Sequence, residues 1–333
     1  MPDSAPRNLR VARETARRDI LFAVARVPGT SRLIVGSSEG KVLDIDVGQA
    51  NGQVQELADH GRYVTSVALS GQTVVSGSYD GKMIWWNLAE KKAIRTVDAH
   101  ARQVRMIATS PDGSKFASVG DDMICRIWNA ADGARIHELR GGHAERTPTH
   151  FSSMLYCCVF SPDGRKLATG DRVGHVVVWD VAAGRQLAAI EAPTLYTWDG
   201  RQRIRSIGGV RALAFSPDNN NLAVGGVGQI DNVDGLSGPS RVEVYDWNKK
   251  EKLYDFTGAQ GLINRLVYHP QNAWLCAIGG GGSGIIMFHD PAKRAMIHQG
   301  AVPMFVHDAV LHEEGTSMYA VGHQKIAVLE LKA

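Results

Sequence analysis

Short apolar segments separated by turn residues repeat along the whole chain. One phrase recurs: an alternating segment that often ends in Ser-Pro-Asp-Gly, a second short segment that ends in small residues, a Gly/Asp turn, and a third segment that ends in an aromatic and a polar residue. The clearest copies begin at Val104 and Leu155. Alternation with period two, interrupted by Gly, Asp, Asn and Pro, predicts β-strands joined by turns, and no long stretch has the helical period.

Seven copies of this phrase can be counted. Their first apolar residues are Ile20, Val64, Val104, Leu155, Val210, Ile263 and Val306. A four-stranded propeller blade needs roughly 40–45 residues, and three of the six intervals are longer. One blade cannot bury both faces of its sheet, so blades must stack in a ring. The sequence predicts an all-β fold, a single seven-bladed β-propeller of four-stranded antiparallel blades over residues 9–333, after a tail of residues 1–8.

The two ends of the chain predict how the ring closes. The last copy ends at 326–331, which is the third strand of its blade, and a spare strand at about 9–15 precedes the first copy. We expect this N-terminal strand to complete the seventh blade as a latch, because pairing the two ends removes a free sheet edge.

Several repeats end in an aromatic residue followed by Asp or Asn. These endings are Trp86-Asn87, Trp128-Asn129, Trp179-Asp180 and Tyr245-Asp246. A full Gly-His opening occurs at Gly142-His143, and it is reduced to Asp59-His60 and Ala99-His100 elsewhere. In these features the chain resembles the WD-repeat propeller family over nearly its whole length.

The resemblance implies a buried set of His, Ser or Thr, Asp and Trp, hydrogen-bonded within a blade. Two complete sets match: His60, Ser76, Asp80 and Trp86, and then His100, Ser118, Asp122 and Trp128. The fourth blade keeps His143, Thr169 and Trp179 but has Val173 where the Asp is expected. The first and seventh blades lack the set.

Candidate catalytic and metal-binding features are weak. The His-Ser-Asp sets suggest a hydrolase triad, but they recur with the repeat, as a structural network does, and no Gly-x-Ser-x-Gly elbow occurs. The Gly279–Gly284 run lacks the Lys-Ser/Thr of a phosphate loop, and we interpret it as a flexible turn in blade six. Residues 231–235 do not have the spacing of a calcium loop. We therefore predict no catalytic residue, no metal and no cofactor.

Composition adds two constraints. The formal net charge of +3 is too small to indicate wholesale nucleic-acid or membrane binding, and no apolar run approaches the length of a membrane span. The four cysteines, Cys125, Cys157, Cys158 and Cys276, lie in apolar, strand-like segments. We expect them to be reduced and buried, which suits a cytoplasmic protein.

The longest connections are the features most indicative of binding. They are Arg140–Met154, Ala192–Gly209 and Val227–Ser240. In a propeller, such loops emerge on one face, so we expect them to cluster above blades four and five. They contain Arg and aromatic residues typical of interface hot spots, namely Arg146, Phe151, Tyr196, Trp198, Arg201, Arg203 and Arg205. The alternative is a solvated loop whose Trp198 folds back over the blade.

A second candidate is the axial entrance. The family resemblance implies that the residue after the first apolar residue of each inner strand lines this entrance, on the same face as the insertions. These residues are Leu21, Thr65, Arg105, Tyr156, Arg211, Asn264 and His307. Arg forks, an aromatic ring and a titratable His suit an acidic or phosphorylated segment. The alternative is a rim of ordinary polar residues around a water-filled channel.

These features favour a non-catalytic scaffold that binds a protein or peptide partner above blades four and five. The second hypothesis is an RNA- or nucleic-acid-associated subunit that uses the same Arg and aromatic residues, which a wider basic stripe would favour. The third is a small-ligand binder or enzyme that uses the central channel, for which no carboxylate pair or metal cluster provides support.

Overall fold

Strands account for almost all of the regular structure. The computed structural model describes residue 6 and residues 8–49, 53–146, 153–201, 205–230 and 238–332. Within these residues the one helical segment is a 3-10 turn at Pro193–Leu195, and no helix is long and apolar enough to cross a membrane. The all-β prediction is confirmed.

The strands of the first three blades occupy the N-terminal part of the chain. The first four are β1 (Asn8–Arg26), β2 (Arg32–Ser37), β3 (Lys41–Asp46) and β4 (Gln53–Asp59). The next four are β5 (Val64–Ser70), β6 (Thr73–Ser78), β7 (Lys82–Asn87) and β8 (Lys92–Asp98). The third blade contains β9 (Val104–Thr109), β10 (Lys115–Gly120), β11 (Cys125–Asn129) and β12 (Arg135–Leu139).

The remaining blades follow in chain order. The fourth contains β13 (Leu155–Phe160), β14 (Lys166–Asp171), β15 (His175–Asp180) and β16 (Arg185–Glu191). A separate hairpin follows, β17 (Tyr196–Asp199) and β18 (Arg205–Gly208). The fifth blade contains β19 (Ala212–Phe215), β20 (Asn221–Val227), β21 (Pro239–Asp246) and β22 (Glu251–Gln260). The sixth contains β23 (Leu262–Tyr268), β24 (Leu275–Gly280), β25 (Gly284–Asp290) and β26 (Ala295–Val302). The last strands are β27 (Val306–Leu311) and β28 (Ser317–Lys332).

The described strands form five four-stranded blades, one six-stranded sheet and the two-stranded hairpin. The six-stranded sheet has the order β27-β28-β1-β2-β3-β4, and it contains two blades that share β1. Residues 8–16 of β1 pair with 325–332 of β28, whereas residues 21–26 pair with 33–37 of β2. The N-terminal latch therefore lies where the sequence predicted it.

The long strand β28 supplies two strands of the seventh blade. Its first part pairs with β27 and its second part with β1. Between the two parts Gln324 adopts a left-handed conformation, with φ +58°, which suits a tight turn. The N–H of Leu331 donates to the carbonyl of Thr316 at 2.9 Å, so the two halves of β28 lie side by side. With this hairpin the ring has seven blades.

The core is divided among the interfaces between neighbouring blades. One cluster joins Leu21 and Leu33 of blade one to Tyr319 and Val321 of blade seven. Six further clusters join the other pairs of adjacent blades around the ring. All four cysteines are free and buried, as expected, and burial raises the pKa of Cys158 to about 12. The turn between β24 and β25 contains part of the glycine run, at 281–283.

The predicted His-Ser-Asp-Trp sets form within blades two and three. His60 Nδ1 lies 3.1 Å from Asp80, its Nε2 lies 2.7 Å from Ser76 Oγ, and Trp86 donates to the same Oγ at 2.9 Å. The second set has the same arrangement: His100 Nδ1 lies 2.8 Å from Asp122, its Nε2 lies 2.8 Å from Ser118 Oγ, and Trp128 donates to that Oγ at 2.9 Å.

Blade four corrects the sequence prediction. Asp171, not a residue at position 173, contacts His143 Nδ1 at 3.0 Å, while Thr169 contacts its Nε2 at 2.8 Å and accepts from Trp179 at 2.9 Å. The carboxylate comes from two residues earlier in the chain. Its other oxygen accepts the backbone N–H groups of residues 173 and 175, each at 2.9 Å, so one side chain completes the set and closes the turn.

We expect Asp171→Ala to lower the free energy of unfolding by about 3 kcal/mol. The change leaves a buried His and two backbone N–H groups without their acceptor. Val173→Ala is the matched control, and it should cost about 1 kcal/mol or less. Chemical unfolding of the two variants measures both values, and equal losses would contradict the assignment of the fourth carboxylate to Asp171.

Candidate functional site

A β-bulge lies near the start of the inner strands. The hydrogen-bond register shifts by one residue in β1, β5, β9, β13, β23 and β27. The residues passed over by these shifts are Phe22, Thr65, Arg105, Tyr156, Asn264 and His307. In blade five the N–H of Arg211 bonds Gly225, which is also the register partner of Ala212. A bulge redirects a side chain away from the regular pleat.

The seven bulge residues line one central cavity of about 590 Å³. We call the end of the channel at these residues the entrance face. Six of the seven positions agree with the sequence prediction. The exception is blade one, where Leu21 is fully buried against blade seven and Phe22 lines the channel instead. The apolar pattern starts one residue earlier in this blade, at Ile20, and this shifted the predicted position.

Arg and Tyr side chains stack in a row across blades two to five. The guanidinium carbon of Arg211 lies 3.7 Å from the centroid of the Tyr156 ring. The guanidinium carbon of Arg105 lies 5.9 Å from the Tyr156 ring and 5.0 Å from the Tyr79 ring. These separations are within the range of cation–π attraction. We call these four residues the Arg–Tyr row.

Arg105 is fixed by a carboxylate behind it. Its Nε and Nη2 donate to the two oxygens of Asp121 at 2.5 and 2.7 Å, and its Nη1 donates to the Tyr79 hydroxyl at 2.7 Å. Burial opposes the charge, but the paired bonds to Asp121 raise the pKa of Arg105 above its usual value. The charge of this arginine is therefore balanced within the protein.

Aromatic and His rings surround the other side of the entrance. Phe22 lies 5.5 Å from Tyr63 and 5.2 Å from His307, and His307 lies 4.7 Å from Phe305 and 5.0 Å from His323, all between ring centroids. We call these five residues the aromatic arc.

The arc meets the row at one contact, where the ring of Tyr63 lies 5.5 Å from that of Tyr79. Ring–ring contacts in the arc and cation–π contacts in the row therefore form one unbroken series from blade seven to blade five. Of the arc residues, His307 was predicted from the sequence, whereas Phe22, Tyr63, Phe305 and His323 were missed, as was Tyr79. Tyr63 and Phe305 come just before the inner strands of their blades, whereas Tyr79 and His323 follow the part of the second strand that pairs with the inner strand. These positions relative to the strands are the signal by which the sequence could have indicated the four residues.

The described parts of two insertions pack against each other beside Arg211. Residues 196–199 and 205–208 pair as the β17–β18 hairpin, and Thr197 Oγ1 accepts the N–H of Ile230 from the blade-five insertion at 2.8 Å. Ile207, Val227, Ile230 and Leu262 form a small core beneath them. β18 ends at Gly208, three residues before Arg211, so the hairpin and this entrance residue are close in the chain.

The remaining predicted binding residues have mixed outcomes. Tyr196 and Trp198 are partly exposed on the hairpin, and Arg146 and Arg201 are exposed. Arg205 lies on β18. Phe151, Arg203 and the 231–235 segment lie outside the described residues. No group of three or more metal-binding side chains occurs among the residues that were described.

Comparisons with known proteins agree with this architecture. The family model for the WD domain, G-beta repeat, matches residues 51–87, 91–129, 142–180 and 197–232. Rat "Apoptotic protease-activating factor 1" is 30% identical over 200 residues, which are 59% of this chain and 15% of the relative. "Nuclear distribution protein PAC1-2" from Uncinocarpus reesii is 30% identical over 173 residues, which are 46% of this chain and 33% of the relative. The chain thus spans a third or less of these relatives.

The stability of the entrance should depend on pH through His307. Burial, and then repulsion from His323, lowers the pKa of His307 to about 4, whereas an unfolded His titrates near 6.5. Between these values the unfolded chain binds more protons, so the free energy of unfolding falls as the pH drops from about 6.5 towards 4.

We expect His307→Asn to remove about 2 kcal/mol of this pH dependence. Urea unfolding of wild type and variant at several pH values between 7 and 4 measures the difference. Other buried histidines, including His100, contribute to both proteins with the same sign, so only the difference between the two curves is informative. Parallel curves would contradict the assignment.

Proposed function

We propose that this chain, which belongs to the family of WD-repeat β-propeller proteins, is a non-catalytic scaffold that binds a protein partner on the entrance face, above blades four and five. The observation that carries the proposal is the Arg–Tyr row, whose Arg105, Tyr156 and Arg211 are presented at the mouth of the channel by the inner strands. Tyr and Arg are the residue types that dominate binding energy in protein interfaces.

Pre-organisation supports this function. Arg105 is held by Asp121 and Tyr79, and Tyr156 is stacked between two guanidinium groups. Side chains that are already ordered lose little rotamer entropy when a partner binds. Two residues separate the β17–β18 hairpin from Arg211 in the chain, and its partly exposed Tyr196 and Trp198 offer further surface to a partner.

The burial of the His-Ser-Asp sets argues against hydrolysis. The side chains of His60 and His100 are 0% exposed and that of His143 is 2% exposed. Each Ser or Thr oxygen also accepts a bond from a Trp side chain. A nucleophile needs an open path to its substrate, and these groups instead satisfy one another's hydrogen bonds inside a blade.

We also propose that the protein acts in the cytoplasm, because its four cysteines are free thiols.

The nucleic-acid hypothesis is disfavoured by the charge pairing at the entrance. Arg105 is matched by Asp121, and Arg265, one residue further into the channel, has its Nε 3.6 Å from Asp308. Phosphate-backbone binding instead needs several uncompensated cations along a strip. The observed entrance has few uncompensated charges and several aromatic side chains, and these features suit a protein partner better than a nucleic acid.

We expect the double variant Tyr156→Ala/Arg211→Ala to lose its protein partner. Both side chains belong to the Arg–Tyr row, and together they should account for a tenfold or greater fall in the amount of partner recovered. Affinity purification of the tagged chain from its native host, followed by quantitative mass spectrometry, measures this fall. Thermal unfolding confirms that the ring is intact.

The matched control is Arg185→Ala, an exposed arginine on the outer strand β16, which should recover the partner at the wild-type level. Equal recovery by wild type and the double variant would show that the entrance face is not the binding surface. Loss of all partners after nuclease treatment would instead support the nucleic-acid hypothesis.

A further inference from the structure

The cations at the entrance differ in how they are paired. Arg105 is clamped by Asp121, and Arg265 lies beside Asp308, so each of these positive charges has a nearby negative one. Burial raises the pKa of Asp308, and the positive charge of Arg265 opposes this rise. The Arg105–Asp121 pair leaves no net charge at its position, and Arg265 has a carboxyl group beside it.

Among the residues that the structure describes, Arg211 has no such partner. Within the described residues it makes no ion pair, and its guanidinium is stacked on the Tyr156 ring at 3.7 Å. Its Nε is buried and has no hydrogen-bond partner among the described residues. A buried donor left without an acceptor is costly, and a guanidinium presents its donors in a planar fork that matches a carboxylate.

The aromatic arc lies opposite Arg211 across the channel. Its rings belong to blades seven, one and two, whereas Arg211 belongs to blade five. Tyr63 is 47% exposed, so the arc offers apolar surface to a ligand at the mouth of the channel. His307 in the arc is neutral at pH 7, because burial lowers its pKa to about 4.

We propose that the entrance binds an acidic peptide segment of its partner, with the side-chain carboxylate of one Asp or Glu on Arg211 and an apolar side chain against the aromatic arc. This inference rests on the proposed function and specifies its partner. A bidentate bond to the uncompensated guanidinium would satisfy the buried donor, and the Tyr156 ring would support the pair from below.

The charge balance favours a carboxylate over a phosphate. One unpaired guanidinium carries a single positive charge, and a carboxylate matches it with a single negative charge. A phosphorylated side chain carries about −1.5 to −2 at pH 7, and sites that select it combine several cations.

Peptide selection followed by matched synthesis tests the proposal. Seven-residue peptides are selected on the immobilised full chain from a random library, and the leading sequences are synthesised with acetylated N-termini and amidated C-termini. Each is made in three forms, with the conserved acidic position as Glu, as Gln or as phosphoserine. Fluorescence polarisation gives the dissociation constants.

We expect Asp or Glu and a large apolar residue to be enriched. The Glu form should bind about tenfold or more tightly than the Gln form, and the phosphoserine form should not exceed the Glu form. In Arg211→Gln the Glu and Gln forms should bind equally, whereas Arg185→Gln should keep the wild-type difference. Arg211→Lys should give an intermediate difference, because it keeps the charge but loses the fork.

Three results would overturn the proposal: selection of peptides without an acidic residue, tighter binding of the phosphoserine form, or binding that requires a free C-terminal carboxylate. Failure here can be separated from failure of the proposed function. If neutral or basic peptides are selected and lose binding in Tyr156→Ala, the entrance is a protein-binding surface of different chemistry. If selected peptides bind the Tyr156→Ala variant normally, the proposed function fails as well.

Discussion

Each blade of this protein depends on both of its neighbours for burial. A four-stranded sheet has two apolar faces, and each face is covered only by the next blade, as the seven inter-blade clusters show. The requirement can be met for all blades only if the ring closes. Here β1 closes it by running through two blades, so that residues 8–16 complete blade seven and residues 21–26 begin blade one. A single continuous strand thus joins the two ends of the chain and removes an exposed edge.

Closure also determines where side chains can reach a partner. The inner strands converge on the axis, and a regular pleat would direct alternate residues into the crowded blade interfaces. The bulge near the start of these strands frees one residue from that pattern and turns it towards the channel mouth. The result is a ring of seven side chains whose backbone is fixed by sheet hydrogen bonds, so they do not depend on loops for their positions. Rigid presentation of this kind is what makes Arg105, Tyr156 and Arg211 a pre-organised surface.

Much of this could be predicted from the sequence, because repetition supplies several independent readings of one pattern. The strand period, the latch and the sets around His60 and His100 were visible in that way. Predictions failed where a repeat departed from its copies. Asp171 supplies the carboxylate from two residues before the expected position, whereas counting offsets from the other blades placed it at Val173. The prediction considered only the residue after the first apolar residue of each repeat, whereas Tyr63 and Phe305 stand immediately before that first apolar residue and Phe22 stands two residues after it.

The pairing of charges was equally hidden from the sequence. Arg105 and Arg211 occupy equivalent positions in their repeats, yet one has a clamping carboxylate and the other has none among the described residues. Their roles differ because only blade three has an aspartate at the position of Asp121. The most direct test of the central claim is hydrogen exchange on the chain alone and in complex with its captured partner. The account predicts protection at residues 63–66, 104–106, 155–157 and 210–212, whereas protection confined to the outer strands β8, β12 and β16 would contradict it.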